Sequence, residues 1–369
     1  MSTDIKTWNT SVDPVDDQNG LELMKKLPSL LRILGTTALL VAMYSFLVKG
    51  WHSGGDVFRY LLMLGHTGAM TAIGLTSGHW LKEGKGARLL LTLALVSVSA
   101  NFAILGAFIF SQTQWAATVN YPGYVAWSVD SLSTALVVTG LALVVLLPVV
   151  FLGFRVLSRS MSSSLAVLFL ISNMALLVPL RDPYMVGFMV VALSLFVLVF
   201  SGKTARQDVS ARTHEGMMAL VLQYMPIGVL LCRNLWLYTP DLFLLTILAL
   251  TVFFALRQIG MHLESFPAIR SLVEVLSIVP ALGFGAGIGA TMIENDIFTT
   301  ELVLPFASLA AACLIYEIST RARDGVALYR ALSVGVLCTG LLANMLSLGG
   351  VLAAMMSAVI GIAVAVYGY

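Results

Sequence analysis

The sequence predicts an all-α fold, a polytopic bundle of about twelve transmembrane helices with both termini in the cytoplasm. Hydrophobic residues make up 59% of the 369 residues and charged residues only 11%, against roughly 25% charged in an average soluble domain. The apolar residues form continuous stretches, whereas the strands of a membrane barrel alternate in polarity. Because every backbone amide in hydrocarbon must be paired locally, we expect these stretches to be helices.

Short links separate twelve apolar stretches, and each stretch is close to the length that crosses a bilayer, about 20 residues. The predicted spans are 27–49, 56–80, 88–111, 131–153, 162–180, 184–201, 216–236, 241–258, 270–291, 298–319, 326–347 and 350–367. Residues 1–26 form a polar cytoplasmic tail before them, and residues 27–369 form the transmembrane domain.

Lysine and arginine determine the predicted orientation, since short cytoplasmic loops are enriched in both. With the N-terminus inside, seventeen of the 21 basic residues fall on the cytoplasmic side. Only Lys49, Arg59, Arg181 and Arg233 fall on the outer side, and Arg233 is expected to extend towards the water interface. We therefore expect a multi-pass protein of the cell membrane, of the bacterial inner-membrane type.

Several partners and chemistries have no support in the sequence. A net charge of +2 gives no reason to expect nucleic acid. Cys232, Cys313 and Cys338 occur singly, so neither a disulfide framework nor a metal site is predicted. No catalytic or cofactor motif is present, so an enzyme is not predicted and no cofactor is expected. The bilayer itself is the one partner that the composition requires.

Polar side chains deep in the spans are the candidate substrate-binding residues, because such groups are costly in hydrocarbon. They are His66, Asn101, Asn173, Gln223 and Asn344. One interpretation is a polar girdle around a shared cavity; the other is hydrogen bonding between helices. The separation of Asn173 and Asn344 by about half the domain is compatible with two halves.

Those halves would be residues 27–201 and 216–369, as in transporters built from repeats. In the second half, the ninth span combines Pro280 with a dense run of glycine that includes Gly283 and Gly287. Close helix packing is one interpretation of this run, and a proline-hinged helix lining a cavity is the other.

The longest outer link, 111–130, has no basic residue and holds Trp115, Tyr121, Tyr124 and Trp127. Aromatic residues collect at the membrane interface. The link is therefore either a loop on the headgroups or a lid over a substrate site.

The arrangement of spans resembles that of the major facilitator transporters, with both ends inside and a basic central loop at 202–214. The loop at 78–88 lacks the aspartate and paired arginines of their signature, so the resemblance covers layout and not motif. The first hypothesis is a transporter or flippase-like protein for a neutral or amphipathic small molecule, with its site at the deep polar residues. The alternative is a non-catalytic membrane subunit or scaffold that docks a partner protein's helices through stripes of small residues.

Cysteine labelling tests the predicted orientation. In a chain with the three native cysteines replaced, Ser128→Cys should react with a membrane-impermeant maleimide added outside intact cells, whereas Asp324→Cys should react only after lysis. Labelling of the Ser128→Cys variant from the cytoplasmic side alone would contradict the orientation.

Overall fold

The computed structural model describes residues 55–80, 82, 84–118, 121–122, 125–263, 266–295, 300–322 and 324–348, apart from the side chains of 117–118, 205–207, 300–302 and 343–348. Helix makes up 86% of these described residues, and no strand occurs among them. The all-α prediction is confirmed to that extent. The predicted tail 1–26 and the predicted spans 27–49 and 350–367 lie outside the described residues.

Twelve α-helices occur in the described part of the chain. They are α1 (Asp56–His79), α2 (Gly84–Ser111), α3 (Leu132–Leu157), α4 (Ser162–Leu177), α5 (Pro183–Gln207), α6 (His214–Leu222), α7 (Met225–Leu237), α8 (Leu242–His262), α9 (Pro267–Leu276), α10 (Ile278–Glu294), α11 (Thr300–Arg321) and α12 (Val326–Leu348). Short 3-10 helices lie at Gln114–Thr118 and Val209–Arg212. Two predicted spans, 216–236 and 270–291, are each formed by two consecutive helices.

Seven stretches of the described chain are long and apolar enough to cross a membrane. They are Gly84–Ser111, Leu132–Leu157, Pro183–Thr204, His214–Leu237, Leu242–His262, Pro267–Glu294 and Val303–Arg321. The 16 residues of α4 are too few for this criterion, and glycine, threonine and His66 make α1 less apolar. The chain is therefore a multi-pass membrane protein. The number twelve and the cytoplasmic position of the termini stay predictions.

Polar side chains begin several helices on one side of the bundle. The side-chain oxygens of Ser131, Asp182 and Asp241 each accept a hydrogen bond from the backbone N–H three residues later, at 3.2, 2.9 and 2.9 Å. These bonds satisfy donors that a helix N-terminus otherwise leaves free. They fix where α3, α5 and α8 start.

Contacts between helix ends group those ends into two sides. Asp56, at the start of α1, accepts a hydrogen bond from the backbone N–H of Ser128 at 2.9 Å. At the other side, Arg88 of α2 pairs with Glu215 of α6. The predicted orientation had assigned the first pair to the outer side and the second pair to the cytoplasmic side.

Two main packing groups share α8. The larger group of buried apolar residues runs from Tyr60 in α1 to Leu248 in the first half of α8. A smaller group contains Phe253 in the second half of α8 together with residues of α10, α11 and α12. Helix α8 therefore joins the two groups.

The glycines of α10 allow close approach from two sides. A Cβ atom added to Gly285 would lie 2.5 Å from the carbonyl oxygen of Ala307 in α11. A Cβ atom on Gly287 would collide with Thr246 in α8. Gly283 is less crowded, since its Cβ would lie 3.8 Å from that of Ala249. Helices associate in lipid through such small residues.

Substitution of Gly285 tests this packing. Gly285→Ala should lower the free energy of unfolding by about 1–3 kcal/mol because it overpacks the α10–α11 contact. The matched control is Gly335→Ala in α12, whose added Cβ meets no atom within 4 Å. Thermal unfolding of both purified variants in detergent provides the measurement, and equal melting temperatures would contradict the packing.

Candidate functional site

A cavity of about 530 Å³ lies between α2 and α7. Helix α2 lines it from Ala100 to Phe110, α7 lines it from Val229 to Leu237, and parts of the links after α2 and α4 complete it. Ala100 lies eleven residues before the end of α2 at Ser111, which is about 16 Å at 1.5 Å per residue. The cavity therefore occupies one half of the bundle, the half that was predicted to face outwards.

Three alanines create the space. Ala100, Ala103 and Ala107 follow one another at helical spacing, so they share the face of α2 that lines the cavity. Their short side chains leave a gap opposite Val229 and Trp236 of α7. The resulting volume falls in the range of about 300–1,000 Å³ that is typical of ligand pockets.

Arg233 of α7 brings an unpaired cation to this cavity. All three of its guanidinium nitrogens are buried, and none has a hydrogen-bond partner among the described residues. Its Cζ atom lies 5.9 Å from the centroid of the Tyr238 ring. The guanidinium is therefore enclosed by protein near the end of α7. The expectation that it extends towards the water interface stays a prediction.

Arg181, in the link between α4 and α5, is the second cation at the cavity. It donates to the Tyr238 hydroxyl at 2.9 Å and to the carbonyl oxygen of Gly106 at 3.4 Å. Its Cζ atom lies 4.5 Å from the centroid of the Phe110 ring, and its Nε is buried without a partner among the described residues. These contacts hold the side chain in one orientation.

Neither arginine has a counter-charge in the part of the chain that the structure describes. No described carboxylate lies within 4.0 Å of either guanidinium group. Asp182 follows Arg181 directly, but it accepts from the backbone N–H of Met185. The two guanidinium groups are also close enough to repel each other. Charged groups that are buried without a counter-charge are costly, so they mark a candidate functional site, and the chemistry here suits an anion.

The outer link contributes a wall to the cavity through Tyr121 and Trp127. The ring of Trp127 packs edge-on against Phe108 at 6.1 Å, while the bond from Ser128 to Asp56 ties the link to α1. The described part of the link therefore lies against the cavity, while the choice between a lid and a loop on the headgroups stays a prediction. Burial raises the pKa of Tyr121, and the neighbouring Tyr238 raises it further, so the hydroxyl stays a donor at neutral pH.

Asn101 connects α1 and α2. Its amide nitrogen donates to the Thr67 hydroxyl at 3.0 Å and to the Ser97 carbonyl oxygen at 2.8 Å. The hydroxyl groups of Thr67 and Ser97 lie 2.6 Å apart. The amide oxygen of Asn101 is buried with no partner among the described residues.

Three other predicted binding residues, His66, Asn173 and Gln223, do not line the cavity. The amide nitrogens of Asn173 and Gln223 each donate to the carbonyl oxygen four residues earlier in the chain, at 2.7 and 3.4 Å, and their oxygens are buried without a described partner. His66 is half-buried, and the side chain of Asn344 lies outside the described residues. Asn101 does not line the cavity either. The role of all five predicted residues in binding therefore stays a prediction.

Prolines break two of the long apolar stretches. Pro226 and Pro280 have no backbone N–H, so the carbonyl groups four residues earlier lose their helical donors. Helix α6 ends at Leu222 and helix α9 ends at Leu276, which are those two positions. Gln223 lies in the first break, and the second is three residues before the expected hinge at Pro280. Gln223, Tyr224 and Ser277 keep right-handed helical dihedral angles, so each interruption is a local disturbance at a proline and not an unwound segment.

The comparisons with known proteins give no family, since no family model, curated protein or solved structure matches the chain. Among the described residues, no group of three His, Cys, Asp or Glu side chains could hold a metal ion. Arg181 and Arg233 were not among the candidate site residues predicted from the sequence. The signal was available, because both belong to the four basic residues predicted outside.

A double-mutant cycle tests the contact between α1 and α2. Asn101→Ala and Thr67→Val should show a coupling of about 0.6 kcal/mol, the average for side-chain hydrogen bonds between membrane helices. In the control cycle, Thr71→Val replaces Thr67→Val, because the Thr71 hydroxyl bonds within its own helix. Unfolding in mixed micelles measures both cycles, and equal couplings would contradict the bridging role of Asn101.

Proposed function

We propose that this multi-pass membrane protein moves an amphipathic small molecule between the two sides of the bilayer, in the manner of a flippase-like transporter. The observation that carries the proposal is the cavity between α2 and α7, which combines apolar walls with two guanidinium groups that lack counter-charges among the described residues. Pockets with mostly apolar walls and a few convergent polar groups are the usual form of small-molecule sites.

The cavity suits an amphipathic molecule better than a fully polar one. Alanine, valine and tryptophan side chains would cover a hydrocarbon portion, while Arg181 and Arg233 would contact a polar end. A small hydrophilic solute would leave the apolar walls without a partner. A purely apolar molecule would leave both cations unpaired in hydrocarbon, which is costly.

The break between α6 and α7 supports movement as well as binding. Helix α7 carries one wall of the cavity and begins directly after the interruption at Gln223 and Tyr224. Because the carbonyl of Leu222 lacks its normal helical donor, α7 is less firmly joined to α6 than a continuous helix would be. A change of angle at this break would alter the access to the cavity.

A scaffold that docks partner helices is the second candidate. Gly65, Ala69, Ala72 and Thr76 form an exposed face of α1 within the described part of the chain. Small residues on one face are typical of sites where another membrane helix packs. This candidate does not require the cavity or its two arginines.

Reconstitution separates the two candidates. Purified protein in liposomes should expose the inner-leaflet pool of fluorescent lipid probes, one zwitterionic and one anionic, to dithionite added outside. Pro226→Ala should slow this bleaching several-fold, because it restores the helical donor at the break.

The matched control for this experiment is Pro305→Ala, which alters a proline inside the unbroken helix α11. It should leave the bleaching rate unchanged. Bleaching in vesicles with the unaltered protein that is no faster than in empty vesicles, with both probes, would refute transport and favour the scaffold.

A further inference from the structure

We infer that the molecule bound in this cavity is a lipid with a phosphate monoester headgroup, held between Arg181 and Arg233 with its hydrocarbon chain along the alanine face of α2. This inference rests on the proposed function, because it names the molecule that the proposed binding cavity would take. Two features carry it, namely the number of unpaired charges and the polarity of the walls.

The charge of the site selects the headgroup. Arg181 and Arg233 together bring two positive charges, and no carboxylate among the described residues lies within 4.0 Å of either guanidinium group. A phosphate monoester carries about −1.5 to −2 charges at neutral pH, so it balances the pair. A carboxylate with one negative charge would leave one cation uncompensated, and a zwitterionic headgroup would add no net negative charge to the site.

The donors available at the site fit phosphate oxygens. The Nε, Nη1 and Nη2 atoms of Arg233 and the Nε of Arg181 are buried without described partners. Guanidinium groups bind phosphate through paired N–H donors with defined geometry. Arg181 is already oriented by Tyr238 and Gly106, so only Arg233 has to adjust when an anion arrives.

The walls select a lipid over free phosphate or a nucleotide. Ala100, Ala103, Ala107 and Val229 offer carbon atoms for most of the length of the cavity. An inorganic ion would fill only the end with the two arginines. A hydrocarbon chain on the phosphate would occupy the rest and would gain its affinity there.

Cys232 provides a native reporter, because it lines the cavity beside Arg233 and is exposed to it. The full chain with Cys313→Ala and Cys338→Ala, purified in dodecyl maltoside, leaves Cys232 as its one thiol. Maleimide labelling of Cys232 is followed while dodecyl phosphate, dodecylphosphocholine or inorganic phosphate is added. Dodecyl phosphate should protect Cys232, and the other two should not do so at the same concentration.

Substitution of the arginines gives the second arm of the experiment. Arg181→Gln and Arg233→Gln should each raise the concentration of dodecyl phosphate for half-protection about tenfold or more, since each removes hydrogen bonds to a charged group. Arg233→Lys should retain part of the affinity because it keeps the charge. The control is Arg155→Gln, which removes one exposed positive charge near the C-terminal end of α3. Dodecyl phosphate should protect Cys232 in this variant as well as in the parent chain.

Several results would overturn the inference. Equal protection by dodecylphosphocholine would remove the role of the net charge, and equal protection by inorganic phosphate would remove the role of the chain. Unchanged protection in the Arg181→Gln and Arg233→Gln variants would place the ligand elsewhere. Should either variant fail to fold, the selectivity of the parent chain among the three compounds still decides.

The outcome is separable from that of the transport experiment. Protection by dodecyl phosphate without any lipid movement in vesicles would leave the ligand assignment intact and refute transport. Lipid movement without preference for the phosphate headgroup would leave transport intact and refute the ligand assignment.

Discussion

The cost of placing a charge in hydrocarbon governs how charge is distributed through this protein. Towards one side of the bundle, arginine and glutamate lie together, with Arg257 and Glu317 at 2.8 Å and Arg270 and Glu274 at 3.0 Å. Each of these charges is paired, and both pairs lie near helix ends. Against this background, the buried guanidinium of Arg233 is an exception, and the cavity beside it gives the exception a physical reason.

Burying a neutral polar group is also costly unless the group is hydrogen-bonded, but the cost is smaller than for a charge. Asn101, Asn173 and Gln223 each donate to the carbonyl oxygen four residues earlier in the chain. This local bond satisfies half of each amide without help from another helix. Asn101 alone of the three also reaches a neighbouring helix, through Thr67. The helices α1 and α2 are thereby fixed against each other next to the wall of the cavity.

Most of the fold could be predicted from the sequence because the length of an apolar run is a local property. The predicted span 56–80 matches α1, and the predicted span 326–347 matches α12 to within a residue. The breaks at Pro226 and Pro280 were equally local, since a missing N–H determines where the preceding helix ends. Only Pro280 was identified from the sequence as a possible hinge, because a dense run of glycine follows it.

The site could not be predicted in the same way, because it depends on which faces of two distant helices meet. Ala103 and Ala107 are unremarkable in a chain so rich in alanine, and they matter only opposite α7. Whether Arg233 points to water or into the bundle depends on the rotation of that helix. The residues chosen from polarity alone, such as Asn173, lie elsewhere for the same reason.

A change of angle at the interruption near Gln223 would move α7 as a rigid unit. Arg233 lies ten residues beyond Gln223, about 15 Å along the helix, so a tilt of roughly 10° displaces the base of this side chain by about 2.6 Å. Arg181 donates to Tyr238, the residue that follows α7, and to the carbonyl oxygen of Gly106 in α2, so it links the end of α7 to α2. An anion bridging Arg181 and Arg233 would strengthen this link and restrain the angle of α7 relative to α2.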